Sequence, residues 1–129
     1  MRLFEERKGS APIVGEVFCE SHVDPTFADC QGQITIGDYV FCGHGVKILT
    51  GYHDYTETGY LRQRTVRSKP VTLEDGVWVA SYAIILPGVT IGKNAVIGAG
   101  SVVTKNVPAG ELWAGNPAKF IKKIENEEL

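Results

Sequence analysis

Histidines at positions 22, 44 and 53 are the side chains of this chain best suited to proton transfer. An imidazole titrates close to neutrality, so it can accept a proton and return it. His53 opens a polar segment, whereas His44 lies among small and apolar residues and could line a pocket or face solvent. Asp54 could hold one ring nitrogen of His53, but neighbours in extended backbone point in opposite directions. A backbone carbonyl, or an acid from elsewhere in the chain, could orient His53 equally well.

The segment after His53 is basic, although the chain has a formal net charge of -2. Its basic residues are Arg62, Arg64, Arg67 and Lys69. At the mouth of a site, such groups would favour an anionic ligand. We expect Arg62 and Arg64 to contact it, so replacing both with Ala should raise the Michaelis constant more than it lowers turnover.

Length and composition limit the class of protein. A chain of 129 residues, 43% hydrophobic and 22% charged, is typical of a single soluble globular domain. A pI of about 5.9 argues against nucleic-acid binding. No apolar run approaches the roughly 20 residues of a membrane span, and the charged start does not resemble a signal peptide, so we expect a cytoplasmic protein. Cys19, Cys30 and Cys42 lack CxxC spacing and are expected to be reduced.

An aliphatic residue recurs every six positions, and a small or β-branched residue follows four positions after each. The first set is Leu73, Val79, Ile85, Ile91, Ile97 and Val103, and the second is Val77, Ala83, Val89, Ala95, Ser101 and Val107. Ile36, Cys42 and Ile48 keep the same step upstream. Neither an alternating strand nor a 3.6-residue helix gives this period. Three hexapeptides, each a short strand and a corner, would make one turn of a parallel β-helix.

The repeat breaks after Ile48. We predict a single domain over 1–129, with an N-terminal segment over 1–17, a β-helix over 18–114 and a loop over 54–70 extruded from one corner. The Asn and Pro at 116–117 carry a helix-start signal, because Asn caps helices and Pro suits their first position. The residues Phe120, Ile121 and Ile124 follow at helical spacing, which predicts a short C-terminal helix over 116–128.

Four motifs in this order resemble the hexapeptide-repeat acyltransferases, and most closely the maltose and galactoside O-acetyltransferases and related bacterial surface-sugar acetyltransferases. They are V-W-V-A at 77–80, I-L-P-G-V-T-I-G at 85–92, V-I-G-A-G-S-V-V-T-K at 96–105 and A-G-N-P-A-K at 114–119. The resemblance covers roughly 34–124. It implies an all-β, left-handed parallel β-helix, a homotrimer with sites between subunits, acetyl-coenzyme A as co-substrate and no metal.

The resemblance also implies roles for single positions. His53 stands where the family carries its catalytic histidine, and a backbone amide near Ser81 would stabilise the oxyanion. Trp78 would border the thioester and the acceptor. The positions implied to bind coenzyme A are Ser81, Ala99, Gly100, Thr104, Lys105 and Lys119, of which the last three would meet its nucleotide end.

We therefore expect acetyl transfer from acetyl-coenzyme A to a hydroxyl of a sugar or sugar-containing acceptor, with His53 as general base. Acetylation of an amino sugar or a nucleotide-linked amino sugar is the alternative, because the same base serves an amine. A γ-type carbonic anhydrase needs three converging histidines, but the close pair separated by five is missing. A non-catalytic module that binds a sugar or a protein is disfavoured by Trp78 and by the A-G-S segment at 99–101.

Overall fold

The computed structural model describes residues 13–14, 17–19, 28–29 and 31–125 of the chain. His22 and Cys30, together with most of the predicted N-terminal segment, lie outside these residues. In chain order the elements are β1 (Ile13–Val14), β2 (Val17–Cys19), β3 (Ile34–Ile36), β4 (Val40–Cys42), β5 (Lys47–Ile48), β6 (Gly51–His53), α1 (Gly59–Arg64), β7 (Val66–Ser68), β8 (Val71–Leu73), β9 (Trp78–Val79), β10 (Ile84–Ile85), β11 (Thr90–Ile91), β12 (Val96–Ile97), β13 (Val102–Val103), β14 (Glu111–Gly115) and β15 (Ala118–Lys123).

Three parallel sheets form the sides of a coil, which we call sides A, B and C. Side A has the order β1-β3-β8-β11, side C the order β5-β10-β13, and side B the order β2-β4-β9-β12-β14, with β15 at its edge. Strands β3, β4 and β5 lie on sides A, B and C in turn, and β8 to β13 repeat that order twice. Equivalent residues stack in register, as Ile36 does on Leu73 and Leu73 on Ile91. The predicted parallel coil is confirmed. It starts earlier than residue 18, because β1 pairs in parallel with β3.

The interior of the coil is built from the predicted repeat. Every aliphatic and small residue of that repeat, from Leu73 to Val107, is buried, with at most 2% of its surface exposed. Burying one of its Val, Leu or Ile side chains contributes about 1.5–3 kcal/mol relative to leaving it in water. Ser101 is the polar member of the set, and its Oγ accepts a hydrogen bond of 3.1 Å from the Gly115 amide. The six-residue spacing therefore describes the core of the protein.

Side chains bond backbone amides at the corners of neighbouring turns. Asp75 Oδ1 accepts from the Asp38 amide at 2.7 Å, and Ser81 Oγ accepts from the His44 amide at 3.2 Å. Corner amides point away from the strand ladders and need such partners. The turns also approach closely, because a Cβ on Gly43 would lie 2.6 Å from the Ser81 nitrogen.

The predicted loop over 54–70 has regular structure of its own. Strands β6 and β7 pair in an antiparallel ribbon, with α1 between them, and we call residues 51–68 the His53 ribbon. It leaves the coil between sides C and A, because β5 precedes it on side C and β8 follows it on side A. The chain must return to the same corner, and the antiparallel pairing gives the backbone amides and carbonyls of the ribbon hydrogen-bond partners.

No helix in the described part of the chain is long and apolar enough to cross a membrane.

The expected C-terminal helix over 116–128 is wrong. The chain turns at the cis Asn116-Pro117 peptide and forms β15, which pairs antiparallel with β14. Strand β14 already pairs with β12 on one side, so its other side offers free backbone partners to the returning chain. Ala118 is buried, but Phe120 is 50% exposed. The apolar residues at helical spacing therefore do not mark a helix face buried against the coil.

Candidate active site

His53 is held through one ring nitrogen. It ends β6, and its side chain is exposed. Its Nδ1 lies 3.0 Å from the backbone carbonyl oxygen of Arg62, in the last turn of α1. A carbonyl can only accept a hydrogen bond, so in the neutral ring Nδ1 carries the proton and Nε2 keeps its lone pair. This is the state that a general base requires.

Asp54 does not orient His53. Its carboxylate accepts hydrogen bonds from the hydroxyl and the amide of Thr56, the latter at 3.0 Å, and Arg67 Nε lies 3.5 Å from its other oxygen. The bonds from Thr56, aided by the charge of Arg67, hold the pKa of Asp54 below its usual value. The orienting group is instead a backbone carbonyl, which the sequence had left open as an alternative.

Arg62 and Arg64, which we expected to contact an anionic ligand, both bond groups of their own loop. Arg62 donates from Nε to the Glu57 carbonyl at 2.7 Å and from Nη2 to the Tyr55 carbonyl at 3.1 Å. Arg64 donates to the Tyr60 hydroxyl at 2.8 Å, and its guanidinium carbon lies 5.9 Å from the centre of that ring. Both side chains are thus engaged within the ribbon.

Asp29, which the sequence analysis missed, anchors the base of the His53 ribbon. Its carboxylate accepts from the hydroxyl and amide of Thr50 and from the amides of Gly51 and Gln31. Partial burial by itself raises the pKa of Asp29, but these hydrogen bonds outweigh it and leave the pKa below its usual 3.8. No motif marks Asp29, because it precedes the regular repeat.

Three of the residues expected to bind coenzyme A converge. Thr104, Lys105 and Lys119 line one cavity of about 220 Å³, together with Trp113 and Phe120. The first two follow β13, and the third lies on β15, the strand expected to be helical. The two aromatic residues were missed. Trp113 lies six residues after Val107, so counting on by six from Val107 would have identified it as a position of the repeat.

The other expected coenzyme positions, Ser81, Ala99 and Gly100, lie at the edge between sides B and C. The Gly100 amide donates to the Ser81 carbonyl at 2.9 Å, and Ala99, next to Gly100 between β12 and β13, is exposed. His44 is on the same edge, where its ring packs edge-on against Tyr82 with centroids 5.5 Å apart. These residues form a stack of small and polar groups along the edge.

Trp78 lies on side B, in strand β9. It is 45% exposed, and its ring centre is 6.3 Å from that of Phe41.

Within one chain, the His53 ribbon leaves the coil between sides C and A, whereas Ser81 lies between sides B and C. The structure therefore brings His53 together with Arg62, and Lys105 with Lys119, on the same chain, but it places His53 and Ser81 on different edges. Among the described residues, no group of three or more His, Cys, Asp or Glu side chains could hold a metal ion.

Known proteins share both the sequence motifs and the coil. Residues 70–105 match the family described as bacterial transferase hexapeptide (six repeats). Galactoside O-acetyltransferase from Escherichia coli (strain K12) is 39% identical over 99 residues, which cover 74% of this chain and 46% of that protein. The chain spans about half the length of the curated relatives it matches.

Two solved structures show the same architecture. A maltose O-acetyltransferase from Clostridium difficile 630 is 32% identical with a TM-score of 0.67, covering 88% of this chain and 66% of that one. A hexapeptide-repeat containing acetyltransferase from Vibrio cholerae O1 biovar eltor, complexed with acetyl coenzyme A, is 28% identical with a TM-score of 0.63, covering 85% of this chain and 72% of that one. The resemblance to the hexapeptide-repeat acyltransferases is confirmed, and it implies a left-handed coil.

Proposed function

We propose that this protein transfers an acetyl group from acetyl-coenzyme A to a hydroxyl of a sugar or sugar-containing acceptor, with His53 as general base. The observation that carries the proposal is the hydrogen bond from His53 Nδ1 to the Arg62 carbonyl. It leaves Nε2 as the ring atom able to take a proton from an acceptor. The names of the E. coli and C. difficile relatives favour a sugar hydroxyl as that acceptor.

The proposed reaction has two steps. Nε2 of His53 takes the proton of the acceptor hydroxyl while its oxygen attacks the thioester carbonyl and forms a tetrahedral oxyanion. The oxyanion, stabilised by a backbone amide near Ser81, collapses and expels the coenzyme A thiolate. The imidazolium returns its proton to that thiolate. The products are the acetyl ester of the acceptor and free coenzyme A.

The cavity beside Lys105 and Lys119 suits the nucleotide end of coenzyme A. Two ammonium groups and the Thr104 hydroxyl can bind phosphate oxygens, and the walls of Trp113 and Phe120 can contact a base. The pantetheine arm would pass along the B–C edge at Ser81, Ala99 and Gly100, where small side chains let an extended chain approach. The V. cholerae neighbour is complexed with acetyl coenzyme A, which supports acetyl-coenzyme A as the co-substrate.

The complete site lies between subunits of a homotrimer in this proposal. The supporting observation is that one chain places the His53 ribbon and the Ser81 corner on different edges of the coil. A second chain packed alongside supplies its His53 ribbon to the Ser81 edge of the first. Trp78, which is 45% exposed on side B, is available to border the thioester or to pack between subunits.

The test is the release of free thiol from acetyl-coenzyme A in the presence of sugars, nucleotide sugars and amino sugars. We expect at least one sugar hydroxyl to stimulate release, and His53→Gln to lower kcat by about 10²–10⁴-fold. Because His53 is exposed, the urea midpoint of that variant should match the wild type. Retention of most wild-type turnover by His53→Gln on a confirmed acceptor would overturn the assignment of the base. A preference for amino sugars would favour the amine alternative.

A further inference from the structure

We propose that Arg62 is a positioning residue, whose guanidinium holds its own carbonyl against His53 and so selects the tautomer that can act as a base. The inference rests on the proposed function for its catalytic meaning, because only a general base needs a free Nε2 lone pair. Its structural content, which ring nitrogen of His53 carries the proton, can be tested without any acceptor.

The end of α1 exposes the carbonyl that His53 uses. The last four carbonyls of a helix have no partner within that helix. Here the Thr65 amide bonds the Leu61 carbonyl at 2.9 Å, and the next carbonyl, that of Arg62, bonds His53 Nδ1 at 3.0 Å. The orientation of the imidazole therefore depends on where the C-terminal turn of α1 sits.

Little besides polar contacts fixes α1 in place. The helix has six residues, none of them buried, and its N-cap residue Thr58 makes no side-chain capping bond. A helix this short is unstable in isolation, so its position depends on bonds to its surroundings. The position of α1 therefore depends on contacts between its side chains and the other residues of the His53 ribbon.

The Arg62 guanidinium supplies two such bonds, and both reach the turn that follows His53. The carbonyls of Tyr55 and Glu57, which it bonds, lie two and four residues after His53. One residue thus holds the turn with its side chain and the imidazole with its backbone. The planar guanidinium can donate to two carbonyls in fixed directions, which a lysine ammonium does not reproduce.

Loss of this contact should change the tautomer of His53. Without a partner for Nδ1, a neutral histidine side chain prefers to carry its proton on Nε2. In that form Nε2 is a donor and cannot accept the acceptor's proton. The carboxylate of Asp54 does not substitute for the carbonyl, since it bonds Thr56 and Arg67 instead.

The test compares Arg62→Gln and Arg62→Lys with the matched control Arg64→Gln. Arg64 is exposed on the same helix, carries the same charge and bonds Tyr60 within α1, without reaching the turn after His53. The tautomer of His53 is read from long-range ¹H–¹⁵N correlations of ¹⁵N-histidine-labelled protein above the pH at which the ring is charged, and the signals are assigned with His53→Gln.

We expect Nδ1–H in the wild type and in Arg64→Gln, and a shift toward Nε2–H in Arg62→Gln. On an active acceptor, kcat of Arg62→Gln should fall about tenfold or more, with KM within about twofold of the wild type. Arg62→Lys should recover only part of either effect, and it serves as the test if Arg62→Gln does not fold. A wild-type tautomer and kcat in the folded Arg62 variants would overturn the inference. If no acceptor is found, the proposed function fails, whereas the tautomer measurement still decides whether Arg62 sets the ring.

Discussion

The carboxylate of Asp29 accepts hydrogen bonds from both the backbone amide and the hydroxyl of Thr50, the former at 2.9 Å. The Gly51 amide donates to the same carboxylate at 2.8 Å. Thr50 is fully buried, and Gly51 begins β6. The point at which the His53 ribbon leaves the coil is therefore fixed by a side chain 21 residues earlier in the chain.

Replacing Asp29 with Ala should destabilise the protein. The substitution removes a charged acceptor from the amides of Thr50 and Gly51, and we expect the free energy of unfolding to fall by about 1–3 kcal/mol. Urea denaturation measures the change. Asp38→Ala is the control, because Asp38 is an exposed corner residue of the same charge. Equal effects of the two substitutions would contradict the anchoring role of Asp29.

The pH dependence of stability should also report Asp29. Its pKa in the folded protein lies below the usual 3.8, because the hydrogen bonds from Thr50, Gly51 and Gln31 outweigh the effect of burial. Its contribution is therefore complete above about pH 4 and is lost as the pH falls through the folded-state pKa. In Asp29→Asn, unfolding free energy should decline less steeply below pH 4. An unchanged acid slope in this variant would show that Asp29 does not contribute in this way.

Asp54→Asn should leave turnover nearly unchanged. The imidazole of His53 is oriented by the Arg62 carbonyl, and the Asp54 carboxylate bonds Thr56 and Arg67. We expect kcat within about threefold of the wild type, far from the loss that removal of a general base produces. Thiol release on an active acceptor checks this. A loss comparable to that of His53→Gln would show that Asp54 acts on the base after all.

Lys105→Ala and Lys119→Ala should each weaken binding of acetyl-coenzyme A. Loss of one exposed charge from the cavity is expected to cost about 1 kcal/mol, or about fivefold in KM, with little change in kcat. The effect should disappear with acetyl-pantetheine, which lacks the nucleotide. Lys123→Ala, an exposed change on the same strand as Lys119, is the matched control. An equal KM effect with both substrates would place the lysines away from the nucleotide.

Ile97→Ala should be far more destabilising than Ile121→Ala. Ile97 is fully buried in the coil, so its truncation leaves a cavity and should cost about 2–5 kcal/mol. Ile121 is 54% exposed on β15 and should change stability by less than about 0.5 kcal/mol. Urea denaturation compares the two. A large loss for Ile121→Ala would indicate that the face predicted as helical is buried after all.

The sequence alone was enough to predict the coil and its single interruption. Interior positions of a β-helix must be apolar and must recur once per side, so the stack that runs from Leu73 through Ile91 is visible as a six-residue period. The interruption stands out because it lacks that period, and it begins at His53. The motif order also pointed to Lys105 and Lys119, which the structure brings to one cavity.

Only the tertiary structure decided the remaining features, because each depends on contacts that local sequence does not encode. Residues 118–123 form a strand and not a helix, since the unpaired side of β14 offered them backbone partners. His53 is oriented by the carbonyl of Arg62, a group that every residue possesses and that no motif can mark. Asp29 anchors the ribbon because folding brings it to Thr50, and the placement of His53 and Ser81 on different edges follows from the order in which the chain visits the three sides.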